Sequence, residues 1–66
     1  MSWVKEIRKK TGLSQDKFAQ RYGIPVRTLQ NWEQEYREPP AYVIAMLERL
    51  IAYEVKLGEV AYEKED

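Results

Sequence analysis

Few residues in this chain could carry out a reaction, and none of them forms a catalytic set. Ser2 and Ser14 have no histidine to activate them, because the sequence contains neither histidine nor cysteine. The same composition removes thiolate and imidazole metal ligands and any disulfide. The carboxylates are scattered, and no glycine-rich loop could hold a phosphate. The sequence therefore predicts a protein that is not an enzyme and that holds no metal or cofactor.

The charged side chains are unevenly distributed along the chain. The 66 residues carry 11 basic and 11 acidic groups, and this zero net charge argues weakly against a nucleic-acid partner. Residues 1–38, however, hold eight basic and five acidic groups, whereas residues 39–66 hold three and six. This asymmetry favours a basic working face and an acidic end that points away from it. The alternative is a solvated mixture of charges.

The length limits the architecture to one small domain. Chains of this size bury only about 60% of their unfolded surface, so each buried aromatic side chain matters. The first residues, MSWVKEIRKKTG, contain no apolar run of signal-peptide length, and no later stretch approaches the roughly 20 apolar residues of a membrane span. We therefore expect a soluble, cytoplasmic protein.

Helical periodicity predicts two short helices before residue 24. The first runs from about Ser2 to Lys10, and Gly12 closes it in a left-handed conformation. The second runs from Gln15 to Tyr22, with Ser14 as its capping hydroxyl and Gly23 as its end. The predicted inward side chains are Val4 and Ile7, with Trp3 as a further candidate, and then Phe18, Ala19 and Tyr22.

A third helix follows after a turn of about four residues. Ile24 is the apolar residue inside this turn, and Pro25 suits the first turn of a helix. The helix is predicted to run to about Gln34, with Leu29 and Trp32 on its inward side. Two helices that are joined by a short turn with a glycine, each with one apolar stripe, form the helix-turn-helix arrangement.

Pro39 and Pro40 break the chain before a fourth helix, predicted from about Pro40 to Leu57. This helix carries two apolar stripes at helical spacing. The stripe that should close the core consists of Val43, Ile44, Leu47, Leu50 and Ile51. The other consists of Tyr42, Met46 and Tyr53. This second stripe could cover the edge of the same core, which is the preferred interpretation, or it could pack on another subunit or a protein partner.

Gly58 ends the helical pattern and separates a domain at residues 1–57 from an acidic tail at residues 58–66. The segment EVAYEKED is too short and too charged to bury much surface by itself. Val60 and Tyr62 alternate as in a strand, but we expect a frayed or partner-dependent tail.

The order and spacing of these features resemble a known family. The run IRKKTGLSQDKFAQRYGIPVRTLQNWEQEYREPP is similar to the phage-repressor helix-turn-helix proteins, the Cro, lambda-repressor-like or XRE family. The resemblance covers about residues 4–51. It implies a compact all-α bundle of four to five helices that binds double-stranded DNA, usually as a homodimer on a two-fold-related operator. The matching features are Arg8, Gly12-Leu13-Ser14-Gln15, Phe18-Ala19, Gly23-Ile24-Pro25, Thr28-Leu29 and Trp32-Glu33.

The resemblance also implies which side chains contact DNA. Arg27 could grip a guanine edge, Asn31 an adenine edge, and Val26 a thymine methyl group. Each of these could instead be an ordinary solvated residue. The expected base contacts are Val26, Arg27, Gln30 and Asn31 on the outward side of the third helix. The expected phosphate contacts are Gln15, Lys17, Thr28 and Arg37.

Other matched positions are implied to be structural. Trp32 is expected to plug the space between helices. Glu33 is implied to pair with Arg8 across the first and third helices, which removes Arg8 from the charge available to DNA. The predicted core consists of Ile7, Leu13, Phe18, Ala19, Tyr22, Ile24, Leu29, Trp32, Ile44, Leu47, Leu50 and Ile51.

Glu35 departs from the family pattern, in which this position is commonly glycine. Either the third helix runs past Glu35, or a residue with a Cβ adopts a left-handed conformation at some cost. Glu35 and Glu38 also lie near the expected path of the DNA backbone. Unless they turn away or pair with Arg37, they would repel phosphate, and we interpret them as a brake on nonspecific affinity, so that base contacts and dimerisation matter more than bulk charge.

Three functions fit these features. The first is a sequence-specific DNA-binding regulator, most simply a repressor. The second is an antitoxin or phage-type accessory regulator that also binds a protein partner through the fourth helix and tail, which a neighbouring toxin-like gene would indicate. The third is a protein-interaction module that has lost DNA binding, which zero net charge, Glu35 and Glu38 favour.

Overall fold

The computed structural model describes residues 2–61, which form four helices and contain no strand. Their bounds are Trp3–Thr11 (α1), Gln15–Tyr22 (α2), Val26–Glu33 (α3) and Ala41–Lys56 (α4). The all-α prediction is therefore confirmed. α3 packs against both α1 and α2, so the third helix lies at the centre of the arrangement.

Local capping explains where the first two helices begin and end. The hydroxyls of Ser2 and Ser14 accept hydrogen bonds from the backbone amides of Lys5 and Lys17, each at 3.2 Å. Gly12 and Gly23 follow the two helices with φ of 74° and 68°, in the left-handed region. The predicted cap at Ser14 and both predicted glycine ends are present.

α3 ends in a left-handed residue that is not glycine. The φ of Glu35 is 63°. The amide of Glu35 donates to the carbonyl of Trp32 at 3.2 Å, and the amide of Tyr36 donates to that of Asn31 at 3.0 Å. This is the hydrogen-bond pattern of a Schellman turn. Of the two alternatives left open by the sequence, the helix stops and a residue with a Cβ takes the costly conformation.

The core is built from all four helices. Phe18, Leu29 and Val4 are the largest side chains with almost no solvent exposure. The rest of the buried cluster consists of Ile7, Ala19, Leu47 and Ile51, and the partly buried side chains around it are Leu13, Tyr22, Ile24, Trp32, Val43 and Val55.

Three side chains do not lie where the apolar pattern put them. Trp3 is 38% exposed, because it lies in the first turn of α1, at the edge of the helices, where it lines a groove with Trp32. Leu50 is exposed as well, since it lies one residue, about 100° of helix, from the buried Ile51. Ile44 is half-buried outside the main cluster, beside Trp3 and Trp32.

The second stripe of α4 does not cover the core. Tyr42, Met46 and Tyr53 are 68%, 62% and 61% exposed. The preferred interpretation of this stripe was therefore wrong. Four short helices leave nothing to pack over it within residues 2–61, and the stripe borders an open groove instead.

The chain folds back after α4, so the structure extends beyond the expected boundary at residue 57. Gly58 has a φ of 77°, and the amide of Glu59 donates to the carbonyl of Glu54 at 2.9 Å. This reversal buries Val60. Residues 58–61 lie against the helices, and the frayed or partner-dependent tail expected at residues 58–66 stays a prediction. The expectations for Tyr62 and the rest of 62–66 lie outside the described residues.

Candidate nucleic-acid interface

The outer side of α3 presents the residues that were predicted to contact bases. Val26 and Arg27 are exposed, and Gln30 and Asn31 are half-buried, whereas Leu29 is buried on the opposite side. No hydrogen bond or ion pair within residues 2–61 engages the side chains of Arg27, Gln30 or Asn31. These polar groups share one helix face and are available to a ligand.

The first turn of α3 also presents backbone amides. Pro25 occupies the N-cap, and no side chain caps the helix there. Uncapped amides at a helix N-terminus, together with the helix dipole, favour an anion. The face of α3 therefore combines hydrogen-bonding side chains with a start that suits a phosphate.

A buried ion pair holds the other end of α3. Arg8 Nε donates to Glu33 Oε2 at 2.7 Å, and Arg8 Nη2 donates to Glu33 Oε1 at 3.0 Å. Arg8 Nη1 donates to the carbonyl of Leu13 at 3.0 Å. Such a bidentate pair fixes direction as well as distance. It locks α3 to α1 and to the turn before α2, and it neutralises Arg8.

The charge of Glu33 is stabilised despite its burial. Burial alone would raise the pKa of this carboxyl, but hydrogen bonds from Arg8 and Gln15, with the positive charges of Arg8 and Lys5, hold the pKa below its ordinary value. Glu33 is therefore an ionised, structural carboxylate rather than a titrating group near neutrality.

Gln15 has a second role that was not predicted. Its amide Nε2 donates to Glu33 Oε1 at 3.1 Å. The contact joins the first residue of α2 to the ion pair and commits one donor of this side chain to the protein. The spacing of Gln15 and Glu33 gave no signal for it, because they meet only after α2 and α3 pack together.

The other candidate phosphate contacts lie on three different parts of the chain. Lys17 is exposed on α2. Thr28 lies half-buried beside the α2–α3 turn, where it lines the groove along α4. Arg37 is exposed in the α3–α4 loop and lines a groove of about 250 Å³ with Glu35 and Glu38. The two acidic residues thus share a surface with Arg37.

Contacts in two further places were not predicted from the sequence. Ser2 Oγ donates to the carbonyl of Trp32 at 3.1 Å, so the start of α1 touches the end of α3. Glu54 on α4 accepts from Tyr22 Oη at 2.9 Å and from Arg21 Nη2 at 3.0 Å. Burial, followed by the neighbouring Glu54 carboxylate, raises the pKa of Tyr22 to about 12. No local pattern links residues that lie 30 or more positions apart.

Comparison with known proteins assigns the chain to a family. A family model described as helix-turn-helix matches residues 4–58, which is most of the chain. The chain belongs to this helix-turn-helix family, of the XRE, lambda-repressor-like type. No curated protein and no solved structure matches. The family is one of DNA-binding regulatory proteins that are not typically enzymes, and membership indicates a DNA-binding transcription regulator of the XRE type.

Two negative findings apply to the described residues. None of the helices within residues 2–61 is long and apolar enough to span a membrane. The same residues contain no group of three side chains that could hold a metal ion.

Proposed function

We propose that this protein is a sequence-specific transcription regulator that reads the major groove with α3 and represses by occupying its site. The observation that carries the proposal is the outer face of α3. Its polar side chains have no partner within residues 2–61, and the helix behind them is fixed by the Arg8–Glu33 pair.

The chemistry of this face suits base edges. A guanidinium such as that of Arg27 can donate two hydrogen bonds to guanine, and an amide such as that of Asn31 can pair with adenine. Val26 would contact a thymine methyl group, and Gln30 would supply a further amide. Each good two-bond contact discriminates by about 1–3 kcal/mol.

Phosphate contacts would set the register of the protein on the duplex. The candidates are the uncapped start of α3 with Thr28, the exposed cations Lys17 and Arg37, and the remaining donor of Gln15. Glu38 would repel the backbone nearby and reduce nonspecific affinity.

A homodimer would give the protein a two-fold operator. Two helix-turn-helix units that bind successive major grooves present their recognition helices about 34 Å apart, one turn of the duplex. Occupancy of such a site is enough for repression. We place this activity in the cytoplasm, with the DNA that such a repressor would bind.

A second candidate function is an antitoxin or phage-type accessory regulator. The exposed apolar stripe of Tyr42, Met46 and Tyr53 supports it, because a large exposed apolar surface commonly marks a protein contact. A small toxin-like protein encoded beside the gene, and captured by this chain, would favour it.

The test is a titration against the protein's own upstream DNA and a scrambled duplex. We expect the native site to bind at least about a thousandfold more tightly. Arg27→Ala and Asn31→Ala should each erase about 1–3 kcal/mol of that preference. Lys56→Ala, which removes a positive charge from the last turn of α4, is the matched control and should keep it.

Circular dichroism would verify that each variant is folded. Equal, weak binding of both duplexes by every folded variant would contradict the proposal and favour a protein-interaction module. High affinity with a steep salt dependence and no sequence preference would contradict the expected reliance on base contacts.

A further inference from the structure

A groove of about 640 Å³ lies between α4 and the turn that joins α2 to α3. Val43 and Leu47 of α4 line its inner side, where they pack with the core. Ile24 and Pro25 line it on the side of the turn. Cavities that hold small molecules measure roughly 300–1,000 Å³, so this groove has the size of a ligand site.

The outer side of the groove is formed by exposed apolar side chains of α4, which are Tyr42, Met46, Leu50 and Tyr53. An apolar body in the groove would remove part of this surface from water, which is favourable. Burial of apolar surface does not select the charge of a ligand, however. The chemical class of the ligand therefore follows from the polar groups among these side chains.

The charge of the groove is positive. Among the described residues that line it, Arg49 is the only charged one. Arg49 is exposed and makes no hydrogen bond or ion pair within residues 2–61. A free guanidinium pairs well with a carboxylate or a similar anion, because its N–H groups form a fork that matches two oxygens. The groove therefore favours an anion and disfavours a cation.

Neutral hydrogen-bonding groups lie around the same groove. The hydroxyls of Thr28, Tyr42 and Tyr53 make no hydrogen bond within residues 2–61, whereas the hydroxyl of Tyr22 already donates to Glu54. Small-molecule sites typically combine a mainly apolar lining with a few polar groups that fix orientation. The groove has both parts.

We infer that this groove binds a small amphipathic anion, with an aromatic or aliphatic body against α4 and the α2–α3 turn and one carboxylate-like group on Arg49. The ligand would also touch Pro25 and Thr28, at the start of α3. This inference goes beyond the proposed function and does not depend on it, because binding is measured without DNA.

Fluorescence titration with two matched probes tests the site. Anilinonaphthalene sulfonate is an aromatic anion, and phenylnaphthylamine has the same ring system without the charge. We expect each folded chain to bind a single sulfonate probe, saturably. Raising the salt concentration from about 50 to about 500 mM should weaken binding of the sulfonate probe but not of the neutral probe, because salt screens the ion pair with Arg49.

Arg49→Gln separates the ion pair from the apolar contacts. The substitution should weaken the sulfonate probe by about three- to tenfold and should leave the affinity of the neutral probe within about twofold. Lys56→Gln is the matched control, because it removes the same charge from the same helix outside the groove lining, and it should leave both affinities unchanged. A purely structural effect of Arg49→Gln would change the affinities of both probes.

A new carboxylate in the groove tests the position of the site. Met46→Glu should weaken the sulfonate probe by about tenfold or more, because the added charge repels the sulfonate and interrupts the apolar lining. Ala45→Glu is the matched control, since Ala45 is the preceding exposed residue of α4 and does not line the groove. Circular dichroism would verify that each variant is folded.

Competition tests the chemical class of the ligand. Decanoate should displace the sulfonate probe, whereas decyltrimethylammonium, which carries the same aliphatic chain and the opposite charge, should not. Equal displacement by the two compounds, several probes per chain, or sulfonate binding that does not respond to Arg49→Gln would overturn the inference. Sulfonate binding that weakens as the protein concentration rises would also overturn it, because a second copy of the chain would then cover the groove.

Discussion

Glu35 ends α3 in a conformation that favours glycine, with a φ of 63°. A residue with a Cβ is destabilised by roughly 1–2 kcal/mol in this conformation. Glycine removes that cost, but it also raises the conformational entropy of the unfolded chain, so the net gain in stability is smaller. We predict that Glu35→Gly raises the free energy of unfolding by about 0.5–1 kcal/mol in urea denaturation. Gln34→Gly, one residue earlier at φ −88°, is the control and should lower it by a similar amount. A loss of stability in Glu35→Gly would show that the carboxylate contributes more than the turn costs.

Glu33 sets how the fold responds to acid. Because its pKa is held below the unfolded value of about 4.3, its ionisation stabilises the protein above that pH. This stabilisation is lost as the pH falls through the folded pKa. We predict that Glu33→Gln costs about 2–3 kcal/mol at neutral pH, because it leaves Arg8 without its charged partner, and that it flattens the acid limb of stability against pH.

The measurement for Glu33 is urea unfolding at a series of pH values from neutral to strongly acidic. Glu48→Gln, an exposed carboxylate on α4, is the matched control and should keep both the stability and the acid limb of the native protein. An unchanged acid limb in Glu33→Gln would mean that other groups carry the acid sensitivity.

At the scale of elements, the turn that follows α4 contributes to the stability of the fold. Val60 is buried by the turn at Gly58, and Glu59 lies 3.6 Å from Arg21 of α2. Burying a valine is worth about 1.5–3 kcal/mol. We predict that Val60→Ser lowers the free energy of unfolding by about 2 kcal/mol, whereas Ala61→Ser, at an exposed neighbour, changes little. Equal effects in thermal melts would mean that the turn is peripheral to stability.

The four helices were predictable to within one residue at each end, because their signals are local. Ser14, Gly12 and Gly23 act through the chain on either side of them. The faces of α4 were less predictable. Two adjacent stripes of α4 are both apolar, one containing Leu47 and the other Met46, and only one of them can face the core. The angle at which α4 meets the other helices decides which stripe is buried.

The packing of separate helices also limited how much of the candidate site could be predicted from the sequence. The face of α3 followed from its periodicity, and the resemblance supplied the Arg8–Glu33 pair. The contacts of Ser2 with Trp32 and of Gln15 with Glu33 did not follow. They join residues of separate helices, and no spacing along the chain encodes where two packed helices touch.

At the scale of the whole molecule, the balance of charge predicts a modest salt dependence. Of the exposed cations, Lys17 and Arg37 are the candidates for phosphate contact, which makes four in the proposed homodimer. Each phosphate contact contributes about −0.9 to the slope of log K against log salt, so we expect a slope near −4 on the native site. Filter-binding or anisotropy titrations over a range of salt measure it. A slope twice as steep would require cations beyond these, with Lys5 and Lys9 of α1 as the next to replace by alanine.

The hydroxyl of Ser2 joins the capping of α1 to the last turn of α3. Anything attached ahead of Ser2 therefore hangs from a buried residue that is bonded to the helix proposed to read DNA. A purification tag, a fluorescent fusion or a surface tether attached ahead of Ser2 would therefore disturb α3. A DNA affinity measured on protein that is immobilised through this end would be the affinity of a disturbed α3.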